Sequence, residues 1–442
     1  MDLLIAPALP LILATGLVIL ARPYTGLLLV ILLQVLIAPS TPGVNPGEIA
    51  FLSATIFTFT SWFFKSLILK GKSFRVYGSE TPLIVFLSVV LFNLAYSISS
   101  GVGASKAILD AAPFAMVSLA FVVKHEVTTE KRVKMLLFFF LTASTIIVLQ
   151  CLVISVGNGT PLSNPLIGNP NSPFNSSVYL FATPVAISGL TLSRKVHEKG
   201  LMFGIVVLHA WRSLVGFRRQ PIVLFLIMAL VVPYMVRRIR HPEAARLLSV
   251  RKIVSIGLVV TAMGAISVSL GGNPIEEYAN RLRPEYIMRG LGSRIGTNLI
   301  AFNHFMENPL LGKGFGFDTN LTTLVSQVGL DASKDYFEVS VSEVHSLYFY
   351  ALMHTGLLGF GAGLYLFFRV ARDSLHTRIT TPLYRYTHQW VAGGAGICLT
   401  ILLLGVLSIK SFSLEAWMAF GISLGILLRV RKIAPFTQGV HQ

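Results

Sequence analysis

An arginine and a histidine lie at the two ends of one polar segment of this sequence, and apolar segments flank it. Arg294 opens the stretch RIGTNLIAFNHFMENPLLGKGFGF, and His345, two residues after Glu343, opens HSLYFYALMHTGLLGF. An unperturbed histidine has a pKa of about 6.5, so His345 can accept a proton near neutral pH, oriented by Glu343. A guanidinium and a proton acceptor at a membrane–water boundary suit chemistry on a phosphate-bearing lipid. A histidine at a helix start can equally cap the helix or contact a headgroup, so both interpretations stay open.

Three other histidines are weaker candidates. His209 and His354 lie within apolar runs, which is typical of packing or hydrogen-bonded core groups. His304 follows Arg294 along the same segment, and we rank it below His345.

A second set of arginines lies in the short link WRSLVGFRRQ, which holds Arg212, Arg218 and Arg219 between two apolar runs. Ionisable side chains beside membrane spans are costly and usually have a task or a partner. The planar guanidinium donates in a fork that matches phosphate oxygens. These arginines could also extend from helix ends to lipid headgroups, so a phosphate site is one of two interpretations.

The sequence indicates no resident metal or cofactor. It has no Asp-x-Asp pair and no His/Cys/Asp cluster with metal-ligand spacing. The glycines of GKGFG, 312–316, lack the strand–helix context of a phosphate-binding loop, and we interpret NPLLGKGFG as a turn that returns the chain to the membrane. Cys151 and Cys398 lie in apolar runs and are predicted to be packing residues.

Composition predicts the elements that must position these residues. The chain has 442 residues, of which 54% are hydrophobic and 12% charged, with a mean hydropathy of +0.72. Continuous apolar runs of about 20 residues predict an all-α polytopic membrane protein with about 12–13 transmembrane helices. The first run follows an acidic Asp2 and lacks a small-residue cleavage site, which favours a retained helix over a signal peptide. We place the spans near 3–21, 24–40, 48–64, 82–98, 105–123, 135–156, 175–193, 200–216, 220–236, 253–271, 344–368, 389–408 and 412–428.

The net charge of +17 follows from topology. Lysines and arginines cluster after every second span, and such loops stay in the cytoplasm. The basic balance therefore implies no nucleic acid. The predicted organisation is N-terminal transmembrane helices over 1–271, one long periplasmic loop over 272–343, and C-terminal transmembrane helices with a short cytoplasmic tail over 344–442. Within the loop, 273–286 and 293–307 both look partly helical.

The order of these motifs resembles the O-antigen ligase and O-antigen polymerase superfamily. The resemblance lies in a GNPN turn, outer arginines, Arg294, then PLLG with Gly314 and Gly316, and His345-Ser-Leu-Tyr through Gly356. It covers roughly 140 to 430. The family also has a Ser-Arg-Gly string at a helix start. FRRQP lacks that string, so Arg218 and Arg219 compete for this role, with Arg212 a third candidate.

The resemblance implies about a dozen helices and a long periplasmic loop in a bacterial inner-membrane enzyme. It implies a polyprenyl-pyrophosphate-linked glycan donor, with Arg294 binding pyrophosphate and His345 acting as base. The implied activity is a metal-independent glycosyltransferase with its active site on the periplasmic face. The acceptor would be either lipid A-core oligosaccharide or another lipid-linked glycan. The alternative from another class is a transporter of a lipid-linked or anionic substrate, although we find no internal repeat. A third, a membrane scaffold, would leave the outer arginines unexplained.

Overall fold

The computed structural model describes residues 16–36, 46–69, 78–157, 176–215, 219–240, 284–317, 344, 346–377, 384–407 and 413–433. Throughout these ranges the regular structure is helical, which confirms the predicted all-α class. The helices are α1 (16–21), α2 (Pro23–Leu33), α3 (Pro46–Phe63, continued as a π-helix over Phe64–Leu69), α4 (Thr81–Ser99), α5 (Ala104–Ala115), α6 (Leu119–Glu126), α7 (Glu130–Gly157), α8 (Val178–Leu192), α9 (Val196–Val215), α10 (Arg219–Arg240), α11 (Pro284–Glu307), α12 (Leu347–His376), α13 (Arg385–Leu407) and α14 (Leu414–Ile433).

Six helical segments of the described ranges are long and apolar enough to cross a membrane. They are Thr81–Ser99, Ala104–Glu126, Glu130–Val153, Pro221–Ile239, Leu347–His376 and Arg385–Val406. The total of 12–13 spans and the periplasmic loop stay predictions. The predicted span 253–271 and most of 3–21 lie outside the described residues.

α12 extends beyond its predicted end at residue 368, to His376. Within this extension Arg369 Nε lies 3.2 Å from Asp373 Oδ2, an i,i+4 ion pair of the kind that supports a helix. Over the predicted loop, α11 is helical from Pro284 to Glu307, which confirms the helix expected over 293–307. Of the other portion expected to be helical, 273–286, residues 273–283 lie outside the described residues.

Charged side chains tie the helices together at one end of the bundle, which we call the basic end. Lys124 pairs with Glu80, and Arg429 Nη2 donates to the carbonyl of Thr128 at 2.8 Å. At the same end Arg385 Nη2 lies 2.5 Å from Glu198 Oε2. The charge pattern assigns the loops and helix ends that carry these groups to the cytoplasmic side. In the structure the groups lie together at one end of the bundle, as that assignment requires.

Small residues let the central helices approach closely. A Cβ added at Gly393 of α13 would lie 2.8 Å from Val185 Cα of α8, and one at Gly421 of α14 would lie 2.9 Å from the carbonyl oxygen of Met116. Such contacts are typical of membrane helices. Their association depends on close van der Waals packing, because lipid leaves no hydrophobic driving force between helices. The same surfaces bury Trp390 and Trp417 almost completely.

Candidate functional site

The turn after α11 is inserted into a break in α12. In an unbroken helix the N–H groups of Leu357 and Leu358 would donate to Met353 and His354. Instead, Leu357 N donates to the carbonyl of Pro309 at 2.8 Å and Leu358 N to that of Leu310 at 3.3 Å.

The turn also satisfies the carbonyls that the break releases. Lys313 N donates to Met353 O at 2.7 Å, and Gly314 N donates to His354 O at 3.0 Å. Two helical hydrogen bonds are therefore replaced by four bonds to the turn. Irregular backbone inside a membrane protein is tolerated where protein groups satisfy it in this way.

Gly356 makes the break possible. Its φ of 62° and ψ of −164° fall in a region that only glycine occupies readily. A Cβ at this position would lie 2.3 Å from Leu310 O, so the turn occupies the space of the missing side chain. The predicted turn is thus confirmed over 308–316, whereas its docking against α12 was not predicted.

Four side chains fix the docked turn, which with the break at Gly356 we call the turn lock. Asn93 Nδ2 donates to Leu311 O at 2.8 Å, and Ser97 Oγ accepts from Phe315 N at 2.6 Å. Asp110 Oδ2 accepts from Gly316 N at 2.8 Å. His354 Nδ1 lies 2.7 Å from Gly314 O, and since a carbonyl only accepts, this nitrogen carries the proton.

His354 is a hydrogen-bonded core group, as predicted, and the residue is 2% exposed. Asp110 was not among the predicted site residues. The available signal was a carboxylate within the otherwise apolar helix segment ASKAILDAAPFA, because such groups seldom occur without a partner.

α11 and the first part of α12 run side by side in the same direction into the turn lock. The rings of Phe302 and Phe349 are 6.5 Å apart, and further along both segments Pro309 and Leu310 meet Leu357 and Leu358. At 1.5 Å per residue, position 294 lies about 12 Å before Phe302.

Ser346 lies about 5 Å before Phe349 on the same measure. The segment that carries Arg294 and the start of α12 therefore share one end of the bundle, opposite the basic end. Arg294 belongs to α11, but its side chain is outside the described residues, as are His345 and Glu343.

Of the second arginine set, Arg212 is described. Its guanidinium carbon lies 5.2 Å from the centre of the Tyr179 ring, and the residue is 3% exposed. The guanidinium also reaches the thiol of Cys151. This burial argues against extension to lipid headgroups and gives Arg212 partners within the protein. Arg218 lies outside the described residues, and Arg219 begins α10 with its side chain outside them.

Near Arg212, one turn back along α9, His209 is fully buried. Its Nδ1 lies 3.2 Å from Thr183 Oγ1 and its Nε2 lies 3.4 Å from Ser144 Oγ, so it is a hydrogen-bonded core group as predicted. Across the ranges given above, no group of three or more His, Cys, Asp or Glu residues could hold a metal ion.

At the end of α11 a small charged cluster borders the turn. Lys313 pairs with Glu307 and holds the pKa of that carboxyl below its usual value, and His304 Nδ1 lies 3.2 Å from the same carboxylate. His304 also meets the ring of Phe317, with centroids 5.1 Å apart. His304 therefore has local partners, which agrees with its lower rank as a candidate base.

No protein-family model and no curated protein matches this chain.

The resemblance to the ligase and polymerase superfamily therefore stays a prediction that rests on the ordered motifs. The geometry adds one fact about those motifs. The PLLG turn and Gly356 are far apart in sequence, but the turn lies against Gly356 and is hydrogen-bonded to the residues on either side of it.

Proposed function

We propose that the protein is an inner-membrane glycosyltransferase of the O-antigen ligase or polymerase type. It would transfer a glycan from a polyprenyl pyrophosphate carrier to an acceptor hydroxyl at the periplasmic face. The observation that supports this most is the parallel course of α11 and the start of α12 into the turn lock. This arrangement brings the segments of Arg294 and His345 to the same end of the bundle.

In the proposed reaction the acceptor oxygen attacks the anomeric carbon of the donor sugar. The bond between that carbon and the pyrophosphate oxygen breaks, and its electron pair stays on the pyrophosphate. Arg294, with Arg218, Arg219 or Arg212, would stabilise this developing charge, since preorganised cations lower such barriers. The proton of the acceptor hydroxyl passes to His345, oriented by Glu343. General base catalysis of this kind is typically worth about 10² to 10⁴ in rate.

A transporter of a lipid-linked or anionic substrate is the second candidate, because transporters also use broken helices near the membrane midplane. In those proteins the freed backbone groups bind the substrate or its coupling ion. Here the freed groups of Met353, His354, Leu357 and Leu358 are bonded to the turn. The break therefore supports a fixed scaffold better than an ion site.

Substitution of the two central residues tests the proposal. Arg294→Ala should abolish glycan transfer while the protein still inserts, and Arg372→Ala, an exposed arginine at the basic end of α12, serves as the matched control. His345→Ala should lower transfer per folded protein far more than His354→Ala. Retained activity in Arg294→Ala, or equal losses for the two histidines, would contradict the assigned roles.

Deletion of the gene followed by gel analysis of surface glycans separates the two acceptors. Long chains lost from lipid A but retained on the carrier indicate a ligase, whereas single capped repeats indicate a polymerase. Unchanged glycans would contradict both. Activity in purified membranes should also withstand a chelator, and inhibition reversed by a divalent ion would contradict a metal-independent mechanism.

A further inference from the structure

α12 turns sharply at Gly356, so its first part does not continue along the axis of the bundle. Ser346 Oγ donates to Gly405 O at 3.0 Å, and Cys398 Sγ donates to Phe367 O at 3.7 Å. A straight helix from 346 to 367 would be about 30 Å long, whereas 398 and 405 are only about 10 Å apart along α13. The stretch from 357 to 367 covers that distance by itself. The first part of α12 therefore runs across the end of the bundle that lies opposite the basic end.

The second part of α12 is long enough to cross a bilayer without the first. Residues 357–376 form about 30 Å of helix, which equals the thickness of the hydrocarbon core. The bend therefore lies near the membrane surface opposite the basic end. Tyr96, close to the end of the candidate span α4, is at the same level, because its hydroxyl accepts from Asn308 Nδ2 at 3.1 Å. Tyrosine is enriched at this depth in membrane proteins.

α11 accompanies the first part of α12 across this end of the bundle. The rings of Phe302 and Phe349 are 6.5 Å apart, and the turn after α11 enters the bend at Gly356. α11 is not one of the six helical segments that can cross a membrane. It therefore lies at the membrane surface without spanning the bilayer.

One side of α11 exposes apolar side chains in a row, which we call the apolar stripe. It consists of Leu299, Phe302 and Met306, at the three- and four-residue spacing of one helix face, and of Leu310 in the turn. These four residues are between 39% and 62% exposed. An exposed apolar row of this kind marks a contact with lipid or with another protein.

The apolar stripe is continuous with the surface that α12 presents to lipid. Leu358 N donates to Leu310 O at 3.3 Å, so the stripe ends against the first turn of the spanning part of α12. Leu357 and Leu358 are 50% and 49% exposed there. The polar residues Asn303 and Glu307, both exposed, border the stripe on one side. A helix with an apolar face toward lipid and a polar border is typical of helices that lie in the membrane interface.

We propose that α11 is an interfacial helix, whose apolar stripe is buried among the acyl chains of the leaflet opposite the basic end. The described part of the predicted periplasmic loop would then rest in the membrane surface instead of projecting into water. This placement would hold the segment that carries Arg294 at the depth of the lipid headgroups. The proposal does not depend on the proposed transfer reaction.

The first experiment measures depth with spin labels on the full-length protein in nanodiscs. Cys151 and Cys398, both buried, are replaced by alanine, and the label is attached to Phe302→Cys, Met306→Cys or the control Lys195→Cys. Labels on the stripe should lie about 5–10 Å below the headgroup boundary and collide more with oxygen than with a water-soluble nickel complex. The label at Lys195, an exposed residue of the basic end, should show the opposite preference.

Two results would overturn the proposal. The first is an accessibility to nickel at both stripe positions equal to that at Lys195, because the stripe would then face water. The second is spin–spin broadening that disappears on dilution with unlabelled protein, because the stripe would then contact a second copy of the chain. Neither measurement reads glycan transfer, so a failure here is distinguishable from a failure of the proposed function.

The second experiment keeps both natural cysteines and compares Met306→Asp with Asn303→Asp in nanodiscs. A carboxylate held among acyl chains is costly, so Met306→Asp should lower the apparent Tm by several degrees. Asn303→Asp, on the polar border of the same helix, should lower it much less, and Met306→Leu should leave it unchanged. Equal shifts for the two aspartate variants would overturn the burial of the stripe in lipid.

Discussion

Gly356→Ala is the sharpest test of the turn lock. The substitution would place an L side chain at φ 62°, ψ −164°, a conformation that costs about 1–3 kcal/mol for residues other than glycine. It would also place a methyl group 2.3 Å from Leu310 O and 2.6 Å from Leu311 N, so the turn must move.

That movement breaks the bonds from Leu357 N to Pro309 O and from Leu358 N to Leu310 O. Each contributes about 1 kcal/mol net. The expected loss of stability is therefore about 3–5 kcal/mol when strain and lost bonds are added.

The assay is thermal unfolding of the purified protein in one detergent at one heating rate, since membrane proteins often unfold irreversibly. Gly356→Ala should lower the apparent Tm by several degrees. Gly361→Ala is the matched control, because this glycine of the same helix has open space around it. Alanine there should stabilise the helix by about 0.5–1 kcal/mol. An apparent Tm for Gly356→Ala equal to that of the natural protein would refute the lock.

A second variant on the turn tests whether the two glycines act together. Gly312 has φ 71°, and a Cβ there would lie 2.6 Å from Met353 O and 2.7 Å from Gly356 N. Gly312→Ala should lower the apparent Tm about as much as Gly356→Ala does. The double variant should lose less stability than the two single variants added together, because either change already opens the same contact. Strict additivity would mean that the two positions are independent.

Three further outcomes are expected. His354→Leu should destabilise the protein by about 1–3 kcal/mol, because Gly314 O loses its donor, and His354→Gln should recover part of this in the same unfolding assay. Glu130→Ala should cost about 2–4 kcal/mol, since this carboxylate accepts from Tyr386 N at 2.6 Å and from Thr387 N at 3.0 Å at the start of α13. A loss below 0.5 kcal/mol, as is usual for surface substitutions, would contradict this capping role. The lowered pKa of Glu307 means that its pairing with Lys313 stabilises the folded state above the unfolded value of about 4.3, and this small contribution disappears as pH falls through the folded pKa. Lys313→Met should remove that part of the pH dependence of Tm, and an unchanged profile would argue against the pair.

Much of the helical framework was predictable because composition alone forces it. An apolar run that enters a bilayer must bond its own backbone, so the run near 82–98 becomes Thr81–Ser99 and that near 389–408 becomes Arg385–Leu407. The turn after α11 was also predictable, because a proline followed by three closely spaced glycines disfavours a helix and favours a turn.

The break in α12 could not be predicted from the sequence. Local sequence gives no reason to expect a break at one glycine of α12 rather than at another. Only Gly356 departs from helical geometry in this helix, whereas Gly359, Gly361 and Gly363 do not. The difference comes from the turn around Leu310, which lies against this one glycine and exchanges hydrogen bonds with the helix on both sides of it.

The sequence by itself thus determined that the chain is a bundle of membrane helices and where its polar motifs fall. The tertiary structure decided which motifs meet. Partners such as Asp110 and Gly316 lie far apart along the chain, and the hydrogen bond that joins them cannot be predicted from local helix or turn propensity. Helix formation depends on neighbours in sequence, whereas the turn lock depends on groups that only packing brings together.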